Sequence, residues 1–288
     1  LDGLATTADS HAGLPWVFFT PAAILAIFWT LDFFIVRNTP GEANQKDFHT
    51  GDATAGDDSP RLPAIQVLKM MFRNPLIMTI AAVEFCSGFL RQSIMQWFRT
   101  FAKQTDAVLG LTDSFVYNNW GLLLCCAGIL GGVVAGVISD HVFGSRRGPV
   151  ACLLYGFMTI GGIVLSFAFD TPAVGWLVLV MSLAVIGVHG MLSGTASMDF
   201  GGAKNVGVAV GIIDGFVYLG TATMALTYGL LLPRAELDAT GKLVGEATNP
   251  DNWQVWPITM VPLAVLGAFL AYRLWNAKPK PSSEPATA

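Results

Sequence analysis

Long apolar runs with almost no charge constrain this sequence more than any other feature. Several windows of about 20 residues carry few or no charged side chains, and that length crosses the hydrocarbon core of a bilayer as a helix. Charged residues make up 12% of the chain, whereas an ordinary soluble domain carries roughly 25%. A membrane barrel would show segments of roughly 10 residues with alternating polarity, and the sequence contains none. The pattern therefore predicts an all-α, multi-spanning membrane helix bundle.

Seven transmembrane helices can be placed on these runs. They are predicted at 15–36, 75–98, 115–139, 149–169, 173–195, 206–232 and 255–275. The stretch between the first two, RNTPGEANQKDFHTGDATAGDDSPR, is rich in Gly, Asp, Thr and Pro and has no periodicity, which predicts a solvated linker. The predicted domains are the last helix of an N-terminal bundle (1–37), a linker (38–74), a C-terminal six-helix bundle (75–276) and a disordered tail (277–288).

Lys and Arg are distributed unequally between the connections. Eleven of the sixteen fall in the linker or in connections on its side of the membrane, and four fall on the other side. Because cytosolic loops carry the excess of Lys and Arg, we expect a protein of the cell (inner) membrane with a cytosolic linker and C-terminus. The chain opens with LDGLATTADSHAGLPW, which is typical of a loop between two membrane helices and not of a signal peptide. We therefore expect a piece of something longer.

Few ionisable side chains lie inside the predicted spans. Arg91 is the strongest candidate for a binding residue, because a charge at membrane depth usually faces a partner or a wet cavity. A guanidinium binds phosphate through two parallel hydrogen bonds and stays protonated. Glu84 lies seven residues earlier, on the same helix face and about 10 Å away. Two interpretations stay open: Arg91 binds an anion, or it forms an ion pair between helices, with Asp214 as candidate partner.

Small residues recur at intervals of four in two spans. The third span contains Gly128, Gly132 and Gly136 beside Ala127, Gly131 and Ala135, and the sixth contains Gly207, Gly211 and Gly215. Such faces allow two membrane helices to approach closely. We expect them to lie at helix–helix contacts.

A second polar signal lies in GGVVAGVISDHVFGSRRGP. The pattern predicts a helix that ends at Asp140, a tight turn, and a next segment that opens with Arg146 and Arg147. A carboxylate that faces two arginines across a short cytosolic loop would hold two helices together in one conformational state and release them in another. We call Asp140, Arg146 and Arg147 the cytosolic latch. The alternative is a simple positive-inside loop, which accounts for the arginines but not for Asp140.

Four stretches carry a family resemblance. GVISDHVFGSRRG is similar to the loop G-x-x-x-D-(R/K)-x-x-G-x-(R/K)-(R/K) of the major facilitator superfamily. FLRQSIMQW resembles the seventh helix of the organophosphate:phosphate antiporters of that superfamily (glycerol-3-phosphate transporter-like proteins). VRNTP resembles the end of their sixth helix, and SMDFGGAKNVGVAVGIIDGFVYLGT resembles the connection between their tenth and eleventh helices. The resemblance runs from the sixth helix to the twelfth. It implies that five N-terminal helices are missing here and belong to the same full-length chain or to a separate chain.

The resemblance implies the major facilitator fold, with substrate bound between two six-helix halves. It also implies that Arg91 binds phosphate, and we expect Gln92 and Tyr218 to add hydrogen bonds. The chain departs from the family pattern at several positions, which are Glu84, Gly88, Cys125 and Asp214. Glu84, Asp214 and His189 are therefore candidate coupling or cavity residues.

The leading functional hypothesis is a secondary transporter that exchanges a phosphorylated small organic molecule for inorganic phosphate by alternating access. Its partners would be the small anionic substrate, phosphate and the lipid bilayer. Two alternatives stay open: a transporter-like membrane sensor of a sugar phosphate, and a proton-coupled carrier of another organic anion. The sequence has no nucleophile–base pattern, no phosphate-cradling loop, no Cys pair with metal-ligand spacing and no basic cluster. We therefore expect no enzyme, no cofactor, no metal site and no nucleic-acid partner.

Overall fold

The chain divides into two units, Leu1–Thr50 and Gly51–Ala288. A computed structural model describes residues 14–37, 40–46, 63–196 and 206–277. The first unit contains helix α1 (Leu14–Ile35) and a 3₁₀ turn at Gly41–Ala43. Most of the predicted opening loop, about half of the predicted linker (38, 39 and 47–62) and nearly all of the predicted disordered tail lie outside the described residues.

The second unit consists of long helices joined by short elements. Its helices and strands are α2 (Ala64–Arg73), α3 (Pro75–Met95), α4 (Trp97–Gln104), α5 (Asp106–Leu109), α6 (Phe115–Asn118), α7 (Trp120–Val137), α8 (Arg147–Ala168), α9 (Val174–His189), α10 (Val206–Leu231), β1 (Glu236–Leu237), β2 (Leu243–Val244) and α11 (Val255–Arg273). Two π-helical segments, π1 (Ile138–Val142) and π2 (Gly190–Ala196), directly follow α7 and α9. The strands form an antiparallel hairpin in which Glu236 pairs with Val244 and Leu237 with Leu243.

Apolar composition produces six helical stretches long enough to cross a membrane among the described residues. They are Pro15–Ile35, Trp120–Val142, Arg147–Ala168, Val174–Gly194, Val206–Leu231 and Pro250–Arg273. They coincide with six of the seven predicted spans, which confirms the prediction of an all-α membrane helix bundle. The remaining predicted span, 75–98, forms helix α3, but α3 is not among the six. Its apolar run is interrupted by Glu84, Arg91 and Gln92.

Helix α3 begins with a strong local signal. The Asn74 side chain accepts a hydrogen bond from the backbone N–H of Leu76 at 3.0 Å, and Pro75 occupies the first helical position. Both features favour a helix start. The cap accepts a hydrogen bond from an N–H that has no partner within the helix, and proline has no N–H that would be left unpaired at this position. From there α3 packs against α9, α10 and α11. This contact with three helices explains how α3 can carry charged side chains.

Glycines allow the closest helix contacts. A Cβ at Gly88 of α3 would overlap the carbonyl oxygen of Val217 on α10, and a Cβ at Gly220 of α10 would overlap that of Phe85. Among the described residues, the predicted small-residue face of the sixth span makes no such contact: a Cβ at Gly207, Gly211 or Gly215 would meet no described atom within 4 Å. Helix α10 instead contacts α3 at Gly220, about one and a half to three and a half turns further along.

In the third span, one of the two predicted rows of small residues reaches the backbone of another described helix, whereas the other, at Gly128, reaches only the Ile186 side chain. A Cβ at Gly131 of α7 would overlap the carbonyl oxygen of Leu183 on α9, and Ala127 and Ala135 on the same face are buried. The neighbouring Gly132 has no described atom within 4 Å of such a Cβ. Helices α7 and α9 therefore meet along the row that contains Gly131.

Aromatic side chains pack together at the end of the unit where α3 stops. The ring centroids of Trp97 and Tyr228 lie 5.4 Å apart, and those of Phe101 and Trp256 lie 5.2 Å apart. The indole N–H of the fully buried Trp256 donates to the Ser93 carbonyl at 2.8 Å. Trp and Tyr are frequent at membrane interfaces, where an apolar ring with a polar tip is favourable. This cluster joins α3, α4, α10 and α11 at one end.

The end of the predicted linker is helical. Helix α2 lies within 38–74 and buries Val67 and Met71 in the core of the second unit, in contact with α3 and α10. Lys69 and Arg73 are exposed on its other side. The structure therefore places the last ten residues before Asn74 in the bundle unit as an amphipathic helix.

Candidate functional site

Three polar side chains share one face of α3. Glu84, Ser87 and Arg91 are spaced by three and four residues, which places them on the same side of an α-helix. Each has a buried polar atom without a hydrogen-bond partner among the described residues, namely Glu84 Oε1, Ser87 Oγ and Arg91 Nε. Such an atom costs about 1–3 kcal/mol of stability, so three together mark a candidate functional site. We call these residues the polar face of α3.

Arg91 is half-buried, 16 residues into α3 and therefore about 24 Å from its start. Within the described part of the chain, no carboxylate forms an ion pair with it. Asp214, the partner considered from the sequence, instead accepts a hydrogen bond from Ser193 Oγ at 2.6 Å. The guanidinium therefore keeps donors that an anion can use.

Glu84 is fully buried and contacts an imidazole from another helix. Its Oε2 lies 2.8 Å from Nδ1 of His189, the last residue of α9. Burial of an unpartnered carboxylate is strongly unfavourable, and this hydrogen bond offsets part of that cost. One residue earlier on α3, the Val83 carbonyl accepts a hydrogen bond from the Tyr155 hydroxyl of α8 at 2.6 Å. Helices α8 and α9 thus both contact α3 at the depth of Glu84.

The segment π2 continues from His189 and carries the second polar contact. Its Ser193 donates to Asp214 of α10, so the end of α9 is connected to α3 through His189 and to α10 through Ser193. π-helical segments are rare and occur frequently at functional sites. Glu84 and Asp214 lie nine and eight residues from the starts of their helices, so both polar contacts sit about 12–14 Å along them.

The two predicted hydrogen-bonding residues differ in their surroundings. Gln92 is half-buried beside Arg91. Tyr218 is 67% exposed, one helical turn after Asp214. The preceding residue, Val217, contacts Gly88 at the crossing of α3 and α10, so Arg91 and Tyr218 both lie within about one turn of that crossing. The substrate-binding roles of Gln92 and Tyr218 stay predictions.

The cytosolic latch is formed in part. Arg147 Nη1 lies 3.0 Å from Asp140 Oδ1, which also accepts a hydrogen bond from Ser145 Oγ at 3.0 Å. Arg146 does not join this ion pair, because its Nε donates to the Phe143 carbonyl at 3.0 Å. In the described conformation, one arginine and not two contacts Asp140.

The backbone of this loop also differs from the expectation. Helix α7 ends at Val137, and π1 carries the chain past Asp140 to Val142. The turn follows at Gly144 and Ser145, with φ values of 58° and 61°. Ser145 adopts this left-handed conformation at some cost, and its hydroxyl binds Asp140 there.

Sequence reasoning did not find the π-helical segments or the role of Ser193. It did single out Glu84 and His189, each as an ionisable residue within an apolar run. It could not pair them, because their contact joins residues 105 positions apart. Among the described residues, no group of three His, Cys, Asp or Glu side chains is placed to hold a metal ion.

The fold and the site define an all-α membrane helix bundle in which one charged helix packs among apolar ones. Residues 3–225 match the model of the Major Facilitator Superfamily. The chain belongs to this superfamily, which confirms the family resemblance inferred from its motifs.

Three curated relatives are similar to the chain over most of its length. The chain is 24% identical over 270 residues to a glycerol-3-phosphate transporter of Bacillus subtilis (strain 168), which covers 90% of this chain and 56% of the relative. It is 26% identical over 211 residues to a probable hexose phosphate transport protein of Chlamydia pneumoniae (72% and 42% covered). A probable galactarate/D-glucarate transporter of Pseudomonas putida is 24% identical over 231 residues (78% and 47%). The chain spans about half the length of these relatives.

Proposed function

We propose that this protein acts as an antiporter that exchanges a phosphorylated small organic molecule for inorganic phosphate. The observation that carries the proposal is Arg91, a half-buried guanidinium on the polar face of α3 whose buried Nε has no hydrogen-bond partner among the described residues. A planar guanidinium binds phosphate oxygens through two parallel hydrogen bonds, which a compact ammonium cannot reproduce. The similarity to a glycerol-3-phosphate transporter and to a probable hexose phosphate transport protein supports this class of substrate.

In this mechanism the phosphoryl group binds Arg91, and Gln92 and Tyr218 add hydrogen bonds to the substrate. The bound molecule crosses the membrane by alternating access and leaves chemically unchanged, so no catalytic group is required. Inorganic phosphate that leaves on one side resets the site for organic phosphate on the other. The protein would lie in the cell membrane, with its linker and C-terminus in the cytosol.

The latch supplies a candidate conformational contact. The ion pair between Asp140 and Arg147 joins the end of α7 to the start of α8. We propose that it stabilises the outward-open state by closing the cytosolic side, and that Arg146 joins or leaves Asp140 during the cycle.

The direct test is phosphate exchange by the full-length protein in phosphate-loaded liposomes. Arg91→Lys keeps the charge but removes the bidentate fork, so we expect exchange at subsaturating phosphate to fall by roughly 10- to 100-fold, since a hydrogen bond to a charged group contributes about 1.5–3 kcal/mol. Arg99→Lys is the matched control, because Arg99 is an exposed arginine that lies over the Tyr117 ring at 5.0 Å. Exchange by Arg91→Lys within twofold of wild type would refute the assignment.

The same preparation separates the transporter from the alternative of a sensor. A folded protein that binds a sugar phosphate through Arg91 without measurable exchange would favour the sensor.

A further inference from the structure

A carboxylate and an imidazole meet between α3 and α9, at a place that the anion-binding role of Arg91 does not use. Glu84 Oε2 and His189 Nδ1 are 2.8 Å apart, and the second carboxylate oxygen of Glu84 has no partner among the described residues. We propose that Glu84 and His189 form one proton-binding site, and that its occupancy sets the affinity of Arg91 for an anion. The link to Arg91 rests on the proposed function, whereas the proton site itself does not.

The hydrogen bond requires a proton between the two groups. With one proton on the pair, His189 is neutral and its Nδ1–H donates to the Glu84 carboxylate, so the pair carries a charge of −1. A second proton gives either an imidazolium beside a carboxylate or a neutral imidazole that accepts from a protonated carboxyl. In both cases the pair becomes neutral overall. Proton binding therefore removes one negative charge from the interior of the bundle.

The exposure of the two side chains supports a proton rather than a substrate as the ligand. The Glu84 side chain is 0% exposed, so a hydroxyl or phosphoryl group of a substrate has no access to it, whereas the His189 side chain is 23% exposed. An imidazole can take up a proton on one ring nitrogen and release one from the other. His189 thus provides a route by which a proton can reach the buried carboxylate.

Other ionisable groups near Glu84 are already engaged or are more distant along their helices. On the elements around α3, the described titratable groups are Cys86 and Arg91 on α3 itself, Lys69 and Arg73 on α2, Arg99 and Lys103 on α4, Arg147, Cys152 and Tyr155 on α8, His189 on α9, Asp214, Tyr218 and Tyr228 on α10, and Tyr272 and Arg273 on α11. Tyr155 donates to the Val83 carbonyl, and Asp214 accepts from Ser193. Among the described groups, only His189 is within hydrogen-bond distance of the Glu84 carboxylate.

The charge of the pair acts on an anion at Arg91 through the bundle interior. Seven residues of helix separate Glu84 from Arg91, or about 10 Å. At this distance, with an effective dielectric constant of about 20, removal of one negative charge strengthens the binding of each anionic charge on the order of tenfold. A bound proton and a bound anion therefore stabilise each other. This coupling would carry protons in the same direction as the anion.

The proton site can be tested without any transported ligand. As the pH is lowered, infrared difference spectra of the full-length protein should show the carbonyl band of a protonated carboxyl if the proton lies on Glu84, or the ring bands of an imidazolium if it lies on His189. Glu84→Gln should abolish a carbonyl band or shift the midpoint of an imidazolium band. His189→Asn, which keeps a polar group near the carboxylate, should shift the former or abolish the latter. Asp113→Asn, an exposed loop carboxylate, is the control and should leave the band unchanged. A spectrum that Glu84→Gln does not alter would overturn the proton site.

The coupling is tested by the dissociation constant of inorganic phosphate, measured over the same pH range for wild type and Glu84→Gln. Phosphate itself titrates. The quantity compared is therefore the dissociation constant of wild type divided by that of Glu84→Gln at each pH. Since glutamine mimics the neutral pair, we expect a ratio near one at low pH that rises on the order of tenfold at high pH. A constant ratio would overturn the coupling. If wild type bound no phosphate at any pH, the proposed function would be wrong, and the infrared titration would still decide the proton site.

Discussion

The contact between α7 and α9 provides a sharp test of how this bundle is held together. Gly131→Ala introduces a Cβ that would overlap the Leu183 carbonyl oxygen on α9. In the reverse direction, a Cβ at Gly187 of α9 would lie 2.7 Å from the Gly131 carbonyl oxygen, whereas ordinary van der Waals contacts begin at 3.4 Å. Both obstacles are backbone atoms that cannot rotate away. The two helices must therefore move apart by roughly 0.7 Å or more at this crossing.

The magnitude follows from two opposing effects. Overpacking of a well-packed contact costs about 1–3 kcal/mol. Replacement of glycine by alanine within a helix gains up to about 1 kcal/mol of helix propensity. Gly132→Ala is the matched control, because a Cβ there meets no described atom within 4 Å and receives only the gain. We therefore expect Gly131→Ala to be about 1–3 kcal/mol less stable than Gly132→Ala.

Thermal unfolding in detergent micelles measures this difference. For a unit of this size, 1 kcal/mol shifts Tm by about 2–4 °C, so Gly131→Ala should melt several degrees below Gly132→Ala. Gly187→Ala should behave like Gly131→Ala. Equal Tm values for Gly131→Ala and Gly132→Ala would refute the inference that backbone contact at these glycines fixes the spacing of α7 and α9.

Two further substitutions probe polar contacts. Trp256→Phe removes the indole donor to the Ser93 carbonyl and should lower the free energy of unfolding by about 1 kcal/mol; unchanged stability in a denaturant titration would show that the hydrogen bond contributes nothing. Asp140→Asn removes the ion pair with Arg147, but Asp140 is 51% exposed, so its cost in stability should stay below about 1 kcal/mol. If the latch stabilises one conformational state, phosphate exchange by this variant should nevertheless fall several-fold, and normal exchange would show that the contact serves only the loop.

The sequence was sufficient to predict the helices because each depends on its own composition. Six predicted spans correspond to helices that end within a few residues of the expected positions. Helix α2 was not predicted, because an apolar pattern of only ten residues at the end of a polar linker is too short to distinguish a helix from a loop. The loop after α7 was misread for a related reason: Asp140 resembles a helix end, while the stop is set by the turn at Gly144 and Ser145.

The contacts between helices could not be predicted from the sequence in the same way as the helices themselves. Two rows of small residues on α7 were equally suitable for close contact, and only the packing of α9 selects the row with Gly131 over the row with Gly132. The partner of Glu84 was undetermined for the same physical reason, since the helix face that meets α3 is decided by the packing of all helices together. The contact with His189 is a property of this packing and not of either local sequence.

Helix α3 shows why the average hydropathy of a helix is a poor guide to the functional part of such a bundle. A helix that faces lipid must be apolar, because lipid offers its side chains no hydrogen-bond partner. A helix that packs against α9, α10 and α11 is released from that requirement on the faces it buries. It can then carry Glu84 opposite His189 and keep Arg91 unpaired with any described carboxylate. The one predicted span that is less apolar than the membrane-crossing helices is therefore the helix that carries both the proposed anion site and the proposed proton site.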